Sequence, residues 1–123
     1  MQRKWRKYKS RIRRCALACS IALSIFTSTE ILQLIEYYSG LWNVDFGVMA
    51  RLAQCESRYG DDYIGDNGKS VGVYQWHENG IWLGTPVGRE LGLQGRYDIH
   101  SDIQMAMWAA SQGLLSHWSC YRG

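Results

Sequence analysis

The chain opens with a polar, basic stretch, turns abruptly apolar, and then mixes apolar and polar positions to its end. Residues 1–14 hold eight Lys or Arg and no acid, and the twelve residues Cys15–Phe26 carry no charge. A twelve-residue helix rises only about 18 Å, which is short of a hydrocarbon core of about 30 Å. A basic stretch followed by a short apolar run is typical of a secretory signal peptide, so we predict export of the remainder.

Two other interpretations of this N-terminal segment stay open. A helix that continued to Tyr38 would be long enough for an uncleaved anchor, although Glu30 and Glu36 would then lie near lipid. The second alternative is that the basic arm binds nucleic acid, but the apolar run directly after it favours a signal sequence. We therefore divide the chain into residues 1–39, a signal peptide or signal anchor, and residues 40–123, a secreted or extracytoplasmic domain. If the segment stays uncleaved, residues 15–38 would hold that domain at a membrane.

Apolar residues spaced three and four apart predict two helices in the domain. The first can be capped by Asn43 or Asp45 and stops at Gly60; its stripe is Val44, Val48, Leu52 and Cys55. The second has the capping-box pattern Ser101-x-x-Gln104, and its stripe is Ile103, Met107, Ala110, Leu114 and Trp118.

The segment between the two helices has turn and strand signals. Asn67-Gly68 is a strong hairpin signal, and residues 71–76 alternate as a short strand does. Residues 77–100 are rich in glycine and look irregular, with one helical turn at Pro86–Leu91. The pattern predicts a small α+β domain, mainly helical, with a β-hairpin between its helices.

Composition and charge indicate a single folded domain and argue against nucleic acid as its partner. The 123 residues are 46% apolar with one proline, which fits a single folded domain. After residue 14 the chain has six Lys or Arg against eleven Asp or Glu, a net charge of −5. A mildly acidic domain is a poor partner for nucleic acid, so we expect none.

The cysteines agree with export. Cys55 and Cys120 are the two in the domain, they lie 65 positions apart, and there is no C-x-x-C pair that would indicate zinc. In an oxidising compartment this usage favours one disulfide, with two buried thiols as the alternative. The Asp-rich turn at residues 61–70 lacks the ligand spacing of a calcium loop, so we expect no metal and no cofactor.

Glu56 is the residue whose surroundings suggest chemistry. It lies near the C-terminal end of the first predicted helix, where the helix dipole disfavours a carboxylate, and nearby aromatic residues would desolvate it. Both effects favour a protonated group, which a general acid requires. Arg58 would oppose them if its side chain turned back, and an exposed helical Glu without function is the plain alternative.

Four segments resemble a known group of proteins: R-L-A-Q-C-E-S (51–57), G-D-N-G-K-S-V-G-V-Y-Q-W (65–76), G-R-Y-D (95–98) and H-W-S-C (117–120). In this order and spacing they resemble the lysozyme-like superfamily, in particular the transglycosylase-like domain of resuscitation-promoting factors and soluble lytic transglycosylases. The resemblance spans about residues 43–122. It implies that Glu56 is the catalytic acid and that Cys55 and Cys120 form the family disulfide. It also implies that Gly72 and Gln75 lie on the strand whose glutamine lines a sugar cleft between two lobes.

The activity implied is cleavage of the bond between N-acetylmuramic acid and N-acetylglucosamine in peptidoglycan. In the transglycosylase route one Glu serves as acid and then as base, whereas a muramidase needs a second carboxylate, for which Asp66 and Glu78 are available. Tyr74, Trp76 and Tyr97 would stack on sugars, while Gln75 and Asn67 would hydrogen-bond them. One of Tyr74 and Trp76 is expected in the core instead, together with Trp108 and Trp118.

Three other functions stay open at this point. The domain would be an inactive glycan-binding module if it kept the fold without catalysis, or a membrane-tethered interaction domain if Glu56 were incidental. A phage endolysin with a signal anchor would carry the same features. The expected partners are peptidoglycan strands of the bacterial cell wall, with membrane contact only through the N-terminal segment.

Overall fold

A computed structural model describes residues 26–122 of the chain. Its helices within that range are α1 (Ser28–Trp42), α2 (Phe46–Ser57), α3 (Pro86–Leu91) and α4 (Ile99–Ser111). Its strands are β1 (Ile64–Gly65), β2 (Ser70–Val71) and β3 (Trp76–His77), which form one small antiparallel sheet in that order. The prediction of a mainly helical α+β domain is confirmed. The signal run predicted over residues 15–25 lies outside the described residues.

Helix α1 is part of the packed domain. Thr27 is extended (φ −77°, ψ 161°) and its side chain accepts a hydrogen bond from the Glu30 backbone N–H, so the helix begins at Ser28. One face of α1 is buried against α2 and α4; its buried residues are Ile31, Ile35, Ser39 and Trp42. Phe26 and Thr27 are not helical, and α1 runs across the predicted boundary between residues 39 and 40. The division into residues 1–39 and 40–123 stays a prediction. Among residues 26–122, no helix is both long enough and apolar enough to cross a membrane.

Helix α2 starts and ends through its own polar caps. The Asp45 side chain accepts from the Val48 backbone N–H at 2.8 Å, which selects Asp45 over Asn43 as the N-cap. Asn43 instead ends α1 in the left-handed conformation (φ 54°). At the other end Arg58 is left-handed (φ 51°) and its N–H donates to the carbonyls of the last turn, so α2 ends at Ser57, three residues before Gly60.

The predicted hairpin is present, but the predicted strand over residues 71–76 is wrong. Gly65 pairs with Ser70, so four residues that include left-handed Asn67 and Gly68 connect β1 to β2. After Val71 the chain makes a tight turn over residues 72–75, with Gly72 at φ 103° and the Gln75 N–H bonded to the Gly72 carbonyl at 3.2 Å. The alternating pattern therefore arises from two short strands around a turn.

Helix α4 begins two residues before the predicted capping box. The Asp98 side chain accepts from the Ser101 N–H at 2.9 Å and from the Ser101 hydroxyl at 2.5 Å, so Asp98 is the N-cap. Gln104 instead accepts a hydrogen bond from the Trp42 indole at 3.2 Å. Because α4 ends at Ser111, the last part of the predicted stripe lies beyond it, around the 3₁₀ turn Leu115–His117. The short helix predicted at Pro86–Leu91 is confirmed as α3.

Three indoles form the centre of the core, and we call them the tryptophan trio: Trp76, Trp82 and Trp118. Trp76 contacts Trp82 at a ring-centroid distance of 5.2 Å and Trp118 at 5.0 Å, both edge to face. Each indole N–H donates to an acceptor: Asp102 for Trp76, the Gly92 carbonyl for Trp82 and the Tyr74 carbonyl for Trp118. The trio joins the sheet, the glycine-rich segment and the C-terminal turn.

Candidate active site around Glu56

The structure fixes the C-terminal end of α2 with a covalent bond. Cys55 and Cys120 form a disulfide with Cα atoms 6.0 Å apart, which confirms the predicted bond. The neighbouring Glu56 lies in the last turn of the helix, and its carboxyl group receives a hydrogen bond from the Cys120 backbone. The same residue therefore both cross-links the helix end and contacts the candidate acid.

A buried serine attaches this helix end to the turn over residues 72–75. The Ser57 hydroxyl donates to the Val73 carbonyl at 2.6 Å and accepts from the Gly60 N–H at 2.9 Å. Ser57 is 1% exposed, so solvent does not compete for these hydrogen bonds. Glu56 is thus held between the disulfide on one side and the sheet region on the other.

The surroundings of Glu56 favour its protonated form. The side chain is half-buried, and its Oε1 atom is buried without a hydrogen-bond partner among the described residues. Burial raises the pKa of Glu56 above its ordinary value, the Cys120 hydrogen bond lowers it, and the charge of Asp66 raises it further. Arg58 does not neutralise the group, because its guanidinium pairs with Asp62 through two hydrogen bonds of 2.7 and 3.0 Å.

Of the two further carboxylates considered, the structure brings Asp66 towards Glu56. Asp66 lies in the connection between β1 and β2, and its carboxylate accepts from the Ser70 hydroxyl at 2.5 Å. Its charge raises the pKa of Glu56. Asp66 is therefore the acid in position to influence the protonation of Glu56.

Tyr74 and Trp76 do not offer their rings to a ligand in this structure. Tyr74 is 0% exposed and Trp76 is 2% exposed, and both belong to the hydrophobic core. The Tyr74 hydroxyl donates to the Met49 carbonyl of α2 at 3.0 Å, which anchors the turn on that helix. The expectation that they stack on sugars is corrected: both are core residues, where one had been expected. Trp108 and Trp118, on the last predicted helix, were also expected in the core. Trp118 is buried and Trp108 is half-buried.

Gln75 supports the hairpin with its side-chain amide. Its Nε2 atom contacts three backbone carbonyls, those of Gly72 at 2.8 Å, Tyr63 at 2.9 Å and Asp62 at 3.2 Å. Its own backbone is left-handed (φ 51°), which turns the chain into β3. The amide nitrogen is therefore committed to the protein, and the part of Gln75 that remains for a ligand is its half-buried surface.

The remaining predicted contacts lie at separate places. Asn67 is exposed at the left-handed tip of the hairpin, and Tyr97 is half-buried at the end of the 3₁₀ turn before α4. Gly72 is buried, and a β-carbon added to it would overlap the Asp102 carboxylate. Within residues 26–122, no hydrogen bond joins any of these three residues to Glu56.

Asp102, on α4, is an organising residue that the sequence interpretation missed. Its side chain is fully buried and accepts from the Val73 N–H at 2.5 Å, the Tyr74 N–H at 3.3 Å and the Trp76 indole at 2.7 Å. Burial raises the pKa of Asp102 to about 7, although these three donors act in the opposite direction. An acid within the apolar stripe of a helix was the available signal, because such a group needs donors from a neighbouring segment.

Arg96 has a comparable role from the other side of the sheet. It is 5% exposed, and its guanidinium donates to the carbonyls of Lys69 at 2.9 Å, Trp76 at 2.8 Å and Leu93 at 2.9 Å. Arg96 and Asp98, the N-cap of α4, therefore give the G-R-Y-D segment a structural role. Both polar residues of that segment hold elements in place.

Comparison with known proteins identified no relative of this chain. The chain matches no family model, no curated protein and no solved structure. Across residues 26–122, no three His, Cys, Asp or Glu side chains are grouped so that they could hold a metal ion. The functional interpretation therefore depends on the four sequence segments and on the geometry around Glu56.

Proposed function

We propose that this chain is an exported glycosidase with a small lysozyme-like domain that cleaves peptidoglycan, and that Glu56 is its general acid. The observation that carries the proposal is the Glu56 carboxyl group: it is half-buried, one oxygen lacks a partner among the described residues, and its helix end is cross-linked in place. Asp98 also has a buried carboxylate oxygen without a partner, but Asp98 is 1% exposed, whereas the half-buried Glu56 can be reached by a ligand.

The chemistry requires a group that still holds a proton near neutral pH. Cleavage of a glycosidic bond passes through an oxocarbenium-like transition state, and the acid protonates the leaving oxygen. Burial and the charge of Asp66 both raise the pKa of Glu56, which is the direction that this role needs. After the transfer, the resulting carboxylate is available as a base.

We propose the single-Glu route for the second half of the reaction. The Glu56 carboxylate takes the proton of the substrate's own 6-hydroxyl, whose oxygen closes on the sugar carbon, so that an anhydro-sugar forms and no water is consumed. In the hydrolytic alternative, Asp66 acts on a water molecule or on the sugar as the second carboxylate. The two routes differ in the product and in their dependence on Asp66.

The test compares the full-length protein with Glu56→Gln on purified peptidoglycan, with Glu36→Gln, an exposed acid on α1, as the matched control. We expect wild type and Glu36→Gln to release muropeptides, and Glu56→Gln to lose at least about 100-fold of the rate while it still pellets with cell walls. Mass spectrometry identifies the route, because the anhydro product is about 18 Da lighter than the hydrated one.

Other outcomes would contradict the proposal in distinct ways. Wall binding without any sugar release by wild type would indicate a glycan-binding module, and no wall binding would indicate an interaction domain. An Asp66→Asn variant separates the routes. The single-Glu route predicts retained activity with a basic limb of the pH–rate profile at lower pH, because a charge that raises the pKa of Glu56 is gone. Hydrolysis through Asp66 predicts loss of activity.

A further inference from the structure

A groove of about 440 Å³ runs along α2 towards the disulfide. Its lining includes the apolar residues Val48 and Leu52 and two arginines, Arg51 and Arg122. Cys120 and Tyr121 complete the lining. The groove therefore combines an apolar surface with two positive charges.

This groove adjoins the candidate acid. Leu52 precedes Glu56 by four residues on α2, which places the two side chains on one face, one turn apart. Cys120 lines the groove with its own atoms and hydrogen-bonds to the Glu56 carboxyl through its backbone. A polymer whose bond lies at Glu56 can therefore extend a side branch into the groove.

The charges of the groove stand out against the rest of the domain. Residues 26–122 contain six Lys or Arg and eleven Asp or Glu, and two of those six cations are in this groove. The ion pair found in that part of the chain joins Arg58 to Asp62, so neither Arg51 nor Arg122 is paired with an acid there. The guanidinium of Arg51 lies against Gly47, and Asp45, whose Oδ1 atom caps α2, lies against the same glycine.

We propose that the Arg51 and Arg122 groove binds a free carboxylate of the peptide stem next to the cleaved glycosidic bond. This inference rests on the proposed function, because that function supplies a polymer whose sugar backbone carries short peptides with aliphatic side chains and carboxylates. Guanidinium groups bind carboxylates with two parallel hydrogen bonds, and the apolar surface suits the aliphatic part of the stem. On an acidic domain, two local cations also remove the repulsion that an anionic branch would meet.

The test measures binding with the full-length Glu56→Gln protein, so that no substrate is consumed. The probes are fluorescent, soluble peptidoglycan chains with acetylated amines, prepared with free stem carboxylates or with the same carboxylates converted to carboxamides. We expect free carboxylates to bind roughly tenfold more tightly. Adding Arg51→Gln and Arg122→Gln should remove that preference, and adding Arg89→Gln, an exposed arginine on α3, should leave it intact.

Two results would overturn the inference. One is equal affinity for free and amidated chains in the unsubstituted protein, a measurement that does not depend on whether the double variant folds. The other is an equal loss of affinity for both chains in the double variant. Sugar release by the protein with Glu56 intact is scored separately. A carboxylate preference without cleavage would refute the proposed function alone, and cleavage without a preference would refute the groove alone.

Discussion

Glu56 and Asp102 are two single residues whose carboxyl groups have a raised pKa but different surroundings. Glu56 is half-buried and keeps one oxygen unpaired among the described residues, whereas Asp102 is fully buried and accepts hydrogen bonds on both oxygens. The first arrangement leaves a group available for a ligand. The second uses a carboxylate to hold the backbone of Val73 and Tyr74 in a turn.

Asp102 gives the protein a pH-dependent stability. Its pKa is about 7 in the folded state and near 3.8 in an unfolded chain, so the folded state binds the extra proton between these values. Its contribution to the free energy of unfolding is therefore full below about pH 4 and is lost as the pH rises to about 7, with a slope of at most about 1.4 kcal/mol per pH unit.

The Asp102→Asn variant tests this residue. We expect the variant to be less stable by about 2–4 kcal/mol at pH 5, where Asp102 is protonated, because the amide nitrogen turns two hydrogens towards the three donors and the neutral carboxyl group has only one. Its stability between pH 4 and pH 7 should also be flatter than that of wild type. Urea denaturation at four pH values across this range measures both effects, and parallel pH curves for the two proteins would contradict the assigned pKa.

Single residues differ in how far the sequence could predict them. The disulfide could be predicted because Cys55 and Cys120 are the two cysteines of the predicted domain, and the place of Glu56 near a helix end follows from the apolar spacing before it. The burial of both Tyr74 and Trp76 does not follow, since it depends on a turn whose donors are taken up by Asp102 on another element. The orientation of Arg58 towards Asp62 likewise depends on the left-handed cap at the end of α2.

Among elements, the turn over residues 72–75 is where α2, α4 and the sheet meet. Ser57 of α2 bonds to the Val73 carbonyl, and Asp102 of α4 accepts the Val73 N–H. Gly72 fits this junction because its φ is 103° and because an added methyl group would overlap the Asp102 carboxylate and lie 3.3 Å from the Arg96 carbonyl.

Replacement of Gly72 by alanine therefore combines backbone strain with a steric clash. We expect Gly72→Ala to lower the free energy of unfolding by about 3 kcal/mol or more. The matched control is Gly68→Ala, where φ is also positive at 91° but no atom lies within 4 Å of the added methyl group, so strain alone should cost about 1 kcal/mol. Equal losses in urea denaturation would show that the clash with Asp102 is absent.

The elements also show where local patterns stop being informative. The helices α2, α3 and α4 follow from spacing, caps and a proline, all of which act within one or two turns. The strand over residues 71–76 was wrong because alternation is equally compatible with two buried strand ends around a turn. The hairpin was predicted because Asn67 and Gly68 tolerate left-handed backbone wherever they lie.

For the molecule as a whole, α1 decides where the domain begins. The sequence predicts a signal peptide or signal anchor over residues 1–39, and the part of α1 within that range packs on α2 and α4. Ile31 and Ile35 are 4% and 0% exposed, so their place is in the core. This packing could not be predicted from local pattern, since a half-apolar helix suits a core and an interface equally well.

Two truncations test this boundary. A chain of residues 26–123 should unfold cooperatively, whereas residues 40–123 should lose cooperative unfolding and bind a hydrophobic dye, because the core loses two isoleucines worth about 2–5 kcal/mol each. Thermal melting followed by circular dichroism and dye fluorescence distinguishes them. A cooperative transition for residues 40–123 would show that the domain folds without α1 and would support a boundary at residue 40.

The tryptophan trio has a practical consequence for anyone who follows this protein in solution. Three indoles in edge-to-face contact at about 5 Å couple their electronic transitions, so they contribute a split circular dichroism band of their own. Helix content read from the far-ultraviolet spectrum would be distorted by that band. The same band disappears when the indoles separate, which makes it an optical marker of the core that needs no added label.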